Sequence, residues 1–267
     1  DSVIVGDIPA HERNYIIKYC FGQNIRTYSV PKISDILLRS SVELNLFDSP
    51  LLLSRNNQGL QIEQEIMKRI IDIVGSLIGI VITIPIFLIV GICIKMTDGG
   101  PVIYQQTRLT KNGKKFQIYK FRTMVQNAEA DGKARLASEG DPRILPIGRV
   151  LRATRLDELP QIYNILKGDM SIVGPRPERP ELAAELEKEI PEFSFRLQVK
   201  AGLTGYAQVY GKYNTTPYDK LKLDLTYIRN YSVLEDLKLI IMTPKIMLMK
   251  ESTEGVKEES NQTEMKD

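Results

Sequence analysis

Lys68-Arg69-Ile70-Ile71-Asp72-Ile73-Val74-Gly75-Ser76-Leu77-Ile78-Gly79-Ile80-Val81-Ile82-Thr83-Ile84-Pro85-Ile86-Phe87-Leu88-Ile89-Val90-Gly91-Ile92-Cys93-Ile94-Lys95 decides how this chain is built. Between Asp72 and Lys95 the thiol of Cys93 is the one ionisable group. An uncharged apolar run longer than about 18 residues matches, as a helix, a hydrocarbon core of about 30 Å. The stretch therefore reads as meeting lipid. In its middle Pro85 lacks a backbone donor and its ring crowds the preceding turn, so a kink or break is expected there. Lys68 and Arg69 precede the run, and Lys95, Arg108, Lys111, Lys114 and Lys115 follow it. A simple span concentrates Lys and Arg on one side. Two readings stay open from the residues alone: an ordinary spanning helix, or a hairpin over 70–95 that dips into one leaflet and returns to the same face.

Outward from this run, charge is unevenly spread. The 267-residue chain carries a net +3, yet Lys95 to Arg155 holds 13 Lys or Arg against 5 Asp or Glu. Such a segment suits anions, whether lipid headgroups or phosphorylated substrates; a solvated basic surface beside anionic lipid is the plainer reading. With no Trp and few interleaved aromatics, nucleic acid is a poor fit. Glu251 to Asp267 has 6 acids against 2 bases and no apolar pattern, and is expected to be a disordered tail. Cys20 and Cys93 fall in a polar helix pattern and in the apolar run, which argues against a disulfide and for a reducing compartment. The opening Asp1-Ser2, with no basic-then-apolar leader, reads as a piece of a longer parent without a signal peptide.

Upstream, Val3 to Gly6, Ala10 to Gln23, Ile25 to Val30, Ile33 to Arg39 and Leu51 to Leu53 alternate strand, helix, strand, helix, strand. That is the rhythm of a parallel α/β sheet. It holds no glycine-rich phosphate loop, and His11, the sole histidine, reads as a surface residue. Residues 55–64 read as a linker.

Downstream, Asp98-Gly99-Gly100-Pro101 is a turn, and Asn112-Gly113 joins strands at 102–106 and 116–124 into a hairpin. Alternation puts Phe116, Ile118, Lys120 and Arg122 on one face; the two cations either snorkel toward headgroups or hold phosphate. Gln126 to Ser138 is a charged helix pattern. Helical spacing from Arg155 to Leu166 predicts a buried stripe of Leu156, Leu159, Tyr163 and Leu166, with Asp157, Gln161 and Asn164 opposite and Pro160 in the first turn. Adjacent Asp157 and Glu158, with Arg149, Arg152 and Arg155 just upstream, suit a cation held by the acids and a polyphosphate held by the guanidiniums. Complementing a helix dipole is the alternative. Gly174-Pro175-Arg176-Pro177-Glu178-Arg179-Pro180 is a proline-stiffened loop, either an anion site or a plain turn. Glu181 to Glu189 is helical, and 221–250 reads as a helix broken at Pro244, lying at the membrane surface or packed in a core.

Several of these stretches together resemble one family. Lys68-Arg69, Lys120-Phe121-Arg122-Thr123-Met124, Arg155-Leu156-Asp157-Glu158-Leu159-Pro160-Gln161, Gly168-Asp169-Met170-Ser171, Val173-Gly174-Pro175-Arg176-Pro177-Glu178 and Gly202-Leu203-Thr204-Gly205-Tyr206-Ala207-Gln208-Val209 stand in the order seen in monotopic polyprenyl-phosphate phosphoglycosyl transferases, the bacterial sugar transferases that initiate exopolysaccharide. The resemblance runs from about Glu65 to Thr253. It implies a membrane-associated α+β catalytic domain at 65–250 with a re-entrant hairpin at 70–95, on the cytoplasmic face of the bacterial inner membrane. Residues 1–64 resemble the tail of the Rossmann-like α/β module that larger members carry. Implied partners are a UDP-sugar, undecaprenyl phosphate, membrane lipid and a second subunit, and the implied cofactor is Mg2+. Asp157 is implied as the nucleophile on the β-phosphorus and, with Glu158, as a metal ligand. Lys120, Arg122, Arg152, Arg155 and Arg176 are implied to contact phosphates, with Asp169 and Glu178 supporting the site. Thr83 stands one residue further from Pro85 than the hydroxyl partner usual in the family. Rival readings are a membrane-anchored scaffold and a metal-dependent UDP-sugar phosphohydrolase; the sugar itself is not readable.

Overall fold

The computed structural model describes residues 2–39, 41–46, 49–53, 60–126, 128, 141–212 and 214–247, in two compact units of residues 1–57 and 58–267. In the first unit, β1 (Ser2–Val5) and β2 (Arg26–Ser29) pair in parallel across α1 (Ala10–Gly22). The connection obeys the need of parallel strands for a crossover. After α2 (Ile33–Leu38), however, β3 (Val42–Leu46) and β4 (Ser49–Leu53) form an antiparallel hairpin. The expected third parallel strand is thus half of a hairpin, and β3 was not foreseen because Glu43 and Asn45 interrupt its apolar pattern.

The second unit opens on α3 (Ile62–Asp98), a 37-residue helix that runs through Pro85 without interruption. Of the kink or break expected there, the break does not occur. Pro85 withdraws the donor that the Val81 carbonyl would receive, and two residues earlier the Thr83 hydroxyl donates to the Gly79 and Ile80 carbonyls at 2.7 and 3.3 Å. Such back-bonding eases a helix locally instead of ending it. The helix stops at Gly99, whose φ of 70° is the left-handed cap that glycine tolerates best.

Along α3 the usual helix amphipathicity is inverted. Lys68, Asp72, Ser76 and Thr83 are buried against the rest of the unit, while Ile66, Ile70, Val74, Leu77, Ile78, Val81, Ile82, Leu88, Ile89 and Ile92 face outward. Close approach is possible because a Cβ on Gly75 would lie 2.6 Å from Ile172 Cδ1. Both ends of the helix are fastened to the same unit. Near the start, Lys68 Nζ donates to Asp236 Oδ2 at 2.6 Å and to Tyr227 Oη at 2.9 Å, and Tyr227 donates to Asp236 Oδ1 at 2.8 Å. At the end, Val90 and Ile94 pack with Phe121 and Leu151, and Asp98 pairs with Arg122.

The hairpin of β5 (Ile103–Leu109) and β6 (Lys115–Phe121) turns at Asn112-Gly113, as expected. α4 (Pro146–Ala153) follows residues 129–140, which lie outside the described set together with nearly all of the 126–138 helix pattern and the 251–267 tail. After it come α5 (Gln161–Lys167), β7 (Ser171–Val173), α6 (Pro180–Glu189), β8 (Gly202–Thr204), which pairs in parallel with β7, α7 (Tyr206–Val209), α8 (Pro217–Arg229) and α9 (Val233–Met247). The C-terminal helix pattern breaks at residues 230–232, not at Pro244, which sits inside α9. There Thr243 Oγ1 donates to the Leu239 carbonyl at 2.6 Å, the same device as Thr83 before Pro85. Cys20 and Cys93 are both free thiols.

The buried Lys68–Asp236 pair makes a direct forecast. Asp236→Ala leaves a buried ammonium uncompensated and should destabilise the unit by about 3–5 kcal/mol in chemical denaturation in detergent micelles, whereas the double substitution Lys68→Met/Asp236→Leu should cost far less. Equal losses for both would refute this account of how the helix is held.

Candidate active site

β6 carries the core to the site. Phe116 and Ile118 are buried with Ile165 and Met170, and Lys120, next on the same face, arrives at the acid pair. Asn164 of α5 is fully buried; its Nδ2 donates to the Gln117 carbonyl at 2.7 Å and its Oδ1 accepts from the Tyr119 amide at 3.0 Å. One side chain thereby bolts α5 to the strand. From the other side Arg69 donates to the Ile165 and Leu166 carbonyls, both at 2.7 Å, satisfying groups that the end of a helix leaves open.

The acids lie just upstream of α5, in a different backbone from the one expected. Arg155 takes a left-handed φ of 58°, a 3-10 turn spans Leu156–Glu158, and Pro160 caps α5. The predicted stripe holds in part: Leu156 and Leu159 pack against the core of Val90, Ile94, Phe121 and Leu151, whereas Tyr163 is 57% exposed, and Gln161 and Asn164, expected on the polar side, are buried. A left-handed residue, a tighter turn and a proline reset the rotation before the helix begins.

Glu158 is held by two cations. Lys120 Nζ donates to its Oε1 at 2.8 Å, and Arg176 donates from one nitrogen to Oε1 at 2.6 Å and from the other to Oε2 at 3.4 Å. Burial works to raise its pKa, but the charges and hydrogen bonds of Arg176 and Lys120 outweigh that and hold the carboxyl well below the ordinary range. Asp157 is treated differently. Among the described residues its carboxylate takes part in no hydrogen bond. Burial raises its pKa, Lys120 lowers it, the neighbouring Glu158 charge raises it, and Arg152 and Arg176 lower it; the balance is upward. One acid is locked, and the other is free and more basic than an ordinary aspartate.

The remaining expected residues divide. Arg152 stands close enough to act on Asp157 and is steadied by a 3.0 Å bond from Nε to Thr123 Oγ1. Arg155 contributes its unusual backbone to the turn that carries the acids. Arg122 is engaged away from the acid pair: its buried guanidinium grips Asp98 and donates to the Pro101 and Met124 carbonyls at 2.6 and 3.2 Å. Strand parity foretold the face but not this partner, 24 residues away. Asp169 sits beyond the far end of α5, 3.0 Å from Lys167 Nζ, and its carbonyl accepts from Thr110. Glu178 lies behind the Arg176 loop, 3.9 Å from Arg108 and 3.7 Å from Arg196. Sequence reasoning missed Arg196, Asn164 as an anchor, and Asp98. An arginine among Phe193, Phe195 and Leu197 was the one signal that pointed to the first.

Mg2+ is usually held by one or two carboxylates together with substrate phosphates and water. Asp157 and Glu158 offer that many, and among the described residues no group of three or more His, Cys, Asp and Glu forms a cage. The donor set thus fits an ion completed by a bound phosphate.

Comparison with known proteins adds an independent line. The model of a family described as bacterial sugar transferase matches residues 63–250. The UDP-N-acetylgalactosamine-undecaprenyl-phosphate N-acetylgalactosaminephosphotransferase of Aeromonas hydrophila is 40% identical over 185 residues, 68% of this chain and 44% of its own. The undecaprenyl-phosphate galactose phosphotransferase of Salmonella typhimurium is 36% identical over 239 residues, 83% of this chain and 49% of its own. The UDP-glucose:undecaprenyl-phosphate glucose-1-phosphate transferase of Caulobacter vibrioides is 37% identical over 189 residues, 69% of this chain and 70% of its own. This chain spans about half the length of the first two.

The electrostatics can be checked without any substrate. Carboxyl-carbon NMR titration should place the Asp157 midpoint above the ordinary aspartate value. Because Lys120 favours the ionised form, Lys120→Met should move that midpoint further up. A downward move would contradict the arrangement described.

Proposed function

Because this chain belongs to the bacterial sugar transferase family, we propose that it moves a sugar 1-phosphate from a UDP-sugar to undecaprenyl phosphate as the first membrane step of exopolysaccharide or capsule assembly. The observation that carries the reading is the asymmetric acid pair: Glu158 clamped by Lys120 and Arg176, and Asp157 left unbonded beside the same cations.

In the first half-reaction an Asp157 carboxylate oxygen attacks the β-phosphorus of the donor, the bond from that phosphorus to the bridging oxygen breaks, and UMP leaves. The product is an aspartyl phosphosugar. In the second, a phosphate oxygen of undecaprenyl phosphate attacks the same phosphorus, the acyl-phosphate bond breaks, and Asp157 is regenerated. Two anions must approach one another in both steps. Lys120, Arg152 and Arg176 offset that repulsion, and burial makes their charges count for more than in water. Mg2+, held by Asp157, Glu158 and donor phosphates, would supply further neutralisation of the diphosphate. Glu158, already fixed by two cations, keeps its place while Asp157 alternates between free and phosphorylated.

The membrane arrangement we propose is re-entrant: α3 bends at Pro85, where a proline inside a helix kinks it, so that both of its ends lie on the cytoplasmic face. It is supported by the attachment of Lys68 and Asp98 to one unit and by the outward apolar face along the whole helix. The β1-α1-β2 unit is compatible with the end of a Rossmann-like module. The relatives' names carry N-acetylgalactosamine, galactose and glucose, so the shared residues do not select the sugar.

Incubation with a panel of UDP-sugars and Mg2+, with and without undecaprenyl phosphate, should give UMP release that depends on the lipid and stops on chelation. Lipid-independent release would indicate a phosphohydrolase, and no release a scaffold. Asp157→Asn should lower turnover by about 10³-fold or more and abolish the labelled phosphosugar adduct; retained turnover would reject the nucleophile. Single cysteines at Glu63→Cys and Met96→Cys should react equally with an impermeant maleimide in inside-out vesicles, whereas labelling from opposite sides would restore a spanning helix.

A further inference from the structure

Arg176 is central to the site, yet the loop that carries it cannot fasten itself. Pro175, Pro177 and Pro180 have no N–H to give, and after the Gly174 amide, which donates to the Thr204 carbonyl at 2.8 Å, the loop's main handles are carbonyls. Four consecutive carbonyls are taken by donors from elsewhere: Pro175 by the Gly202 amide at 2.8 Å, Arg176 by Arg196 at 2.9 Å, Pro177 by Arg108 at 3.2 Å and Glu178 by the Leu109 amide at 3.0 Å. Two of these donors are side chains. Arg196 is the more deeply set: its side chain is 6% exposed, it lies 2.7 Å from Asp224 Oδ2, itself 1% exposed, and its guanidinium stacks 4.9 Å from the centre of the Phe193 ring.

We propose that Arg196, neutralised by Asp224, is the positioning residue of this site: it pins the Arg176 carbonyl from behind while the Arg176 guanidinium grips Glu158 in front. The inference rests on the transfer reading for its catalytic consequence but not for its structural one. Stability alone is a poor reason to bury this pair, since well-packed apolar residues often replace buried ion pairs without loss. A single Nη2, its N–H bonds fixed in the guanidinium plane, that reaches both a carboxylate and a backbone oxygen is a better reason, because it fixes direction as well as charge. Arg108 holds the loop one residue on, reaching the Pro177 carbonyl while its other nitrogen donates to Gln106 Oε1 at 2.7 Å. Glu178 lies between the two arginines and balances their charge. A cavity of about 120 Å³ adjoins this cluster, lined by Pro177, Ala183, Phe193 and Leu197 among others, so the loop has room to shift once its donor is removed.

The test is the paired substitution Arg196→Met/Asp224→Leu, which removes both charges together. Its melting temperature should stay within a few degrees of wild type. Amide exchange at Leu109 and Gly202, whose N–H groups bond the loop, should quicken about tenfold or more as the loop opens locally; unchanged exchange overturns the proposal. For lipid-dependent UMP release, kcat/KM should fall by up to about 100-fold, the scale of a misplaced catalytic group. In an Arg176→Ala background the same pair should change it less than twofold. A full, multiplicative loss in that background would mean a general effect on the fold and would overturn the positioning role. If the pair variant melts lower, Arg196→Lys takes its place with the same expectations, since it keeps the charge opposite Asp224 and lacks the guanidinium plane. If the wild-type protein releases no UMP, the transfer reading fails while the exchange measurement still decides this one.

Discussion

One carboxylate between two cations organises the catalytic unit. Glu158 is nearly out of water, with 12% of its side chain exposed, and burial of a lone carboxylate is strongly unfavourable. It is accommodated because Lys120 comes from β6 and Arg176 from the loop after β7, two segments far apart in the chain. Each needs its own support: Asn164 holds α5 to β6, and external donors hold the proline loop. Two cations against one anion leave a surplus positive charge. Asp157, one residue away, lives in that surplus, which offsets part of the cost of its own burial.

Local rules read much of this from the amino-acid sequence, and contacts at long range did not follow from them. The Asn112-Gly113 hairpin is dictated by residues within a few positions of one another, and the strand-helix-strand rhythm of β1, α1 and β2 is written in consecutive segments, whereas the cations on Glu158 come from 38 and 18 residues away. The helix over 155–166 failed on a local conformer that no spacing reveals, the left-handed Arg155. Arg122 follows the end of β6, and its partner Asp98, at the end of another helix, could not be read from strand alternation. Asp169 and Glu178 stood close to functional motifs in sequence but point to Lys167 and to a pair of arginines in space. Pro85 and Pro244 both sit inside continuous helices, and in each helix a threonine just upstream donates to the carbonyl four residues before it.

The inverted face of α3 is what a lipid solvent demands. In water, ten outward Ile, Leu and Val side chains would each forgo burial worth about 1.5–3 kcal/mol, while Lys68 and Asp72 would be hidden from the solvent that favours them. With hydrocarbon outside, the preference reverses: apolar groups face out at no cost, and polar groups retreat into the protein, where Asp236, Tyr227, Ser171 and the Ile172 amide satisfy them. Packing in a buried apolar cluster holds the last turns of the helix, where Val90 and Ile94 meet Phe121 and Leu151. The rest is held by hydrogen bonds, ion pairs and the close packing that Gly75 and Gly79 permit against Ile172 and Ile162.

That mode of attachment also fixes where the chemistry happens. α5 touches α3 through Ile162 and through the Arg69 cap, and the acid pair is the turn immediately before α5. Between the lipid-facing helix and Asp157 there is therefore a single short helix, with an interaxial distance of about 8–10 Å expected for packed helices. In the transfer proposed above, an acceptor whose phosphate rides at the headgroup level would have only a short rise to Asp157. The covalent intermediate we propose would remove the need for donor and acceptor to be present at once, because the basic groups around Asp157 could serve the two phosphates in turn.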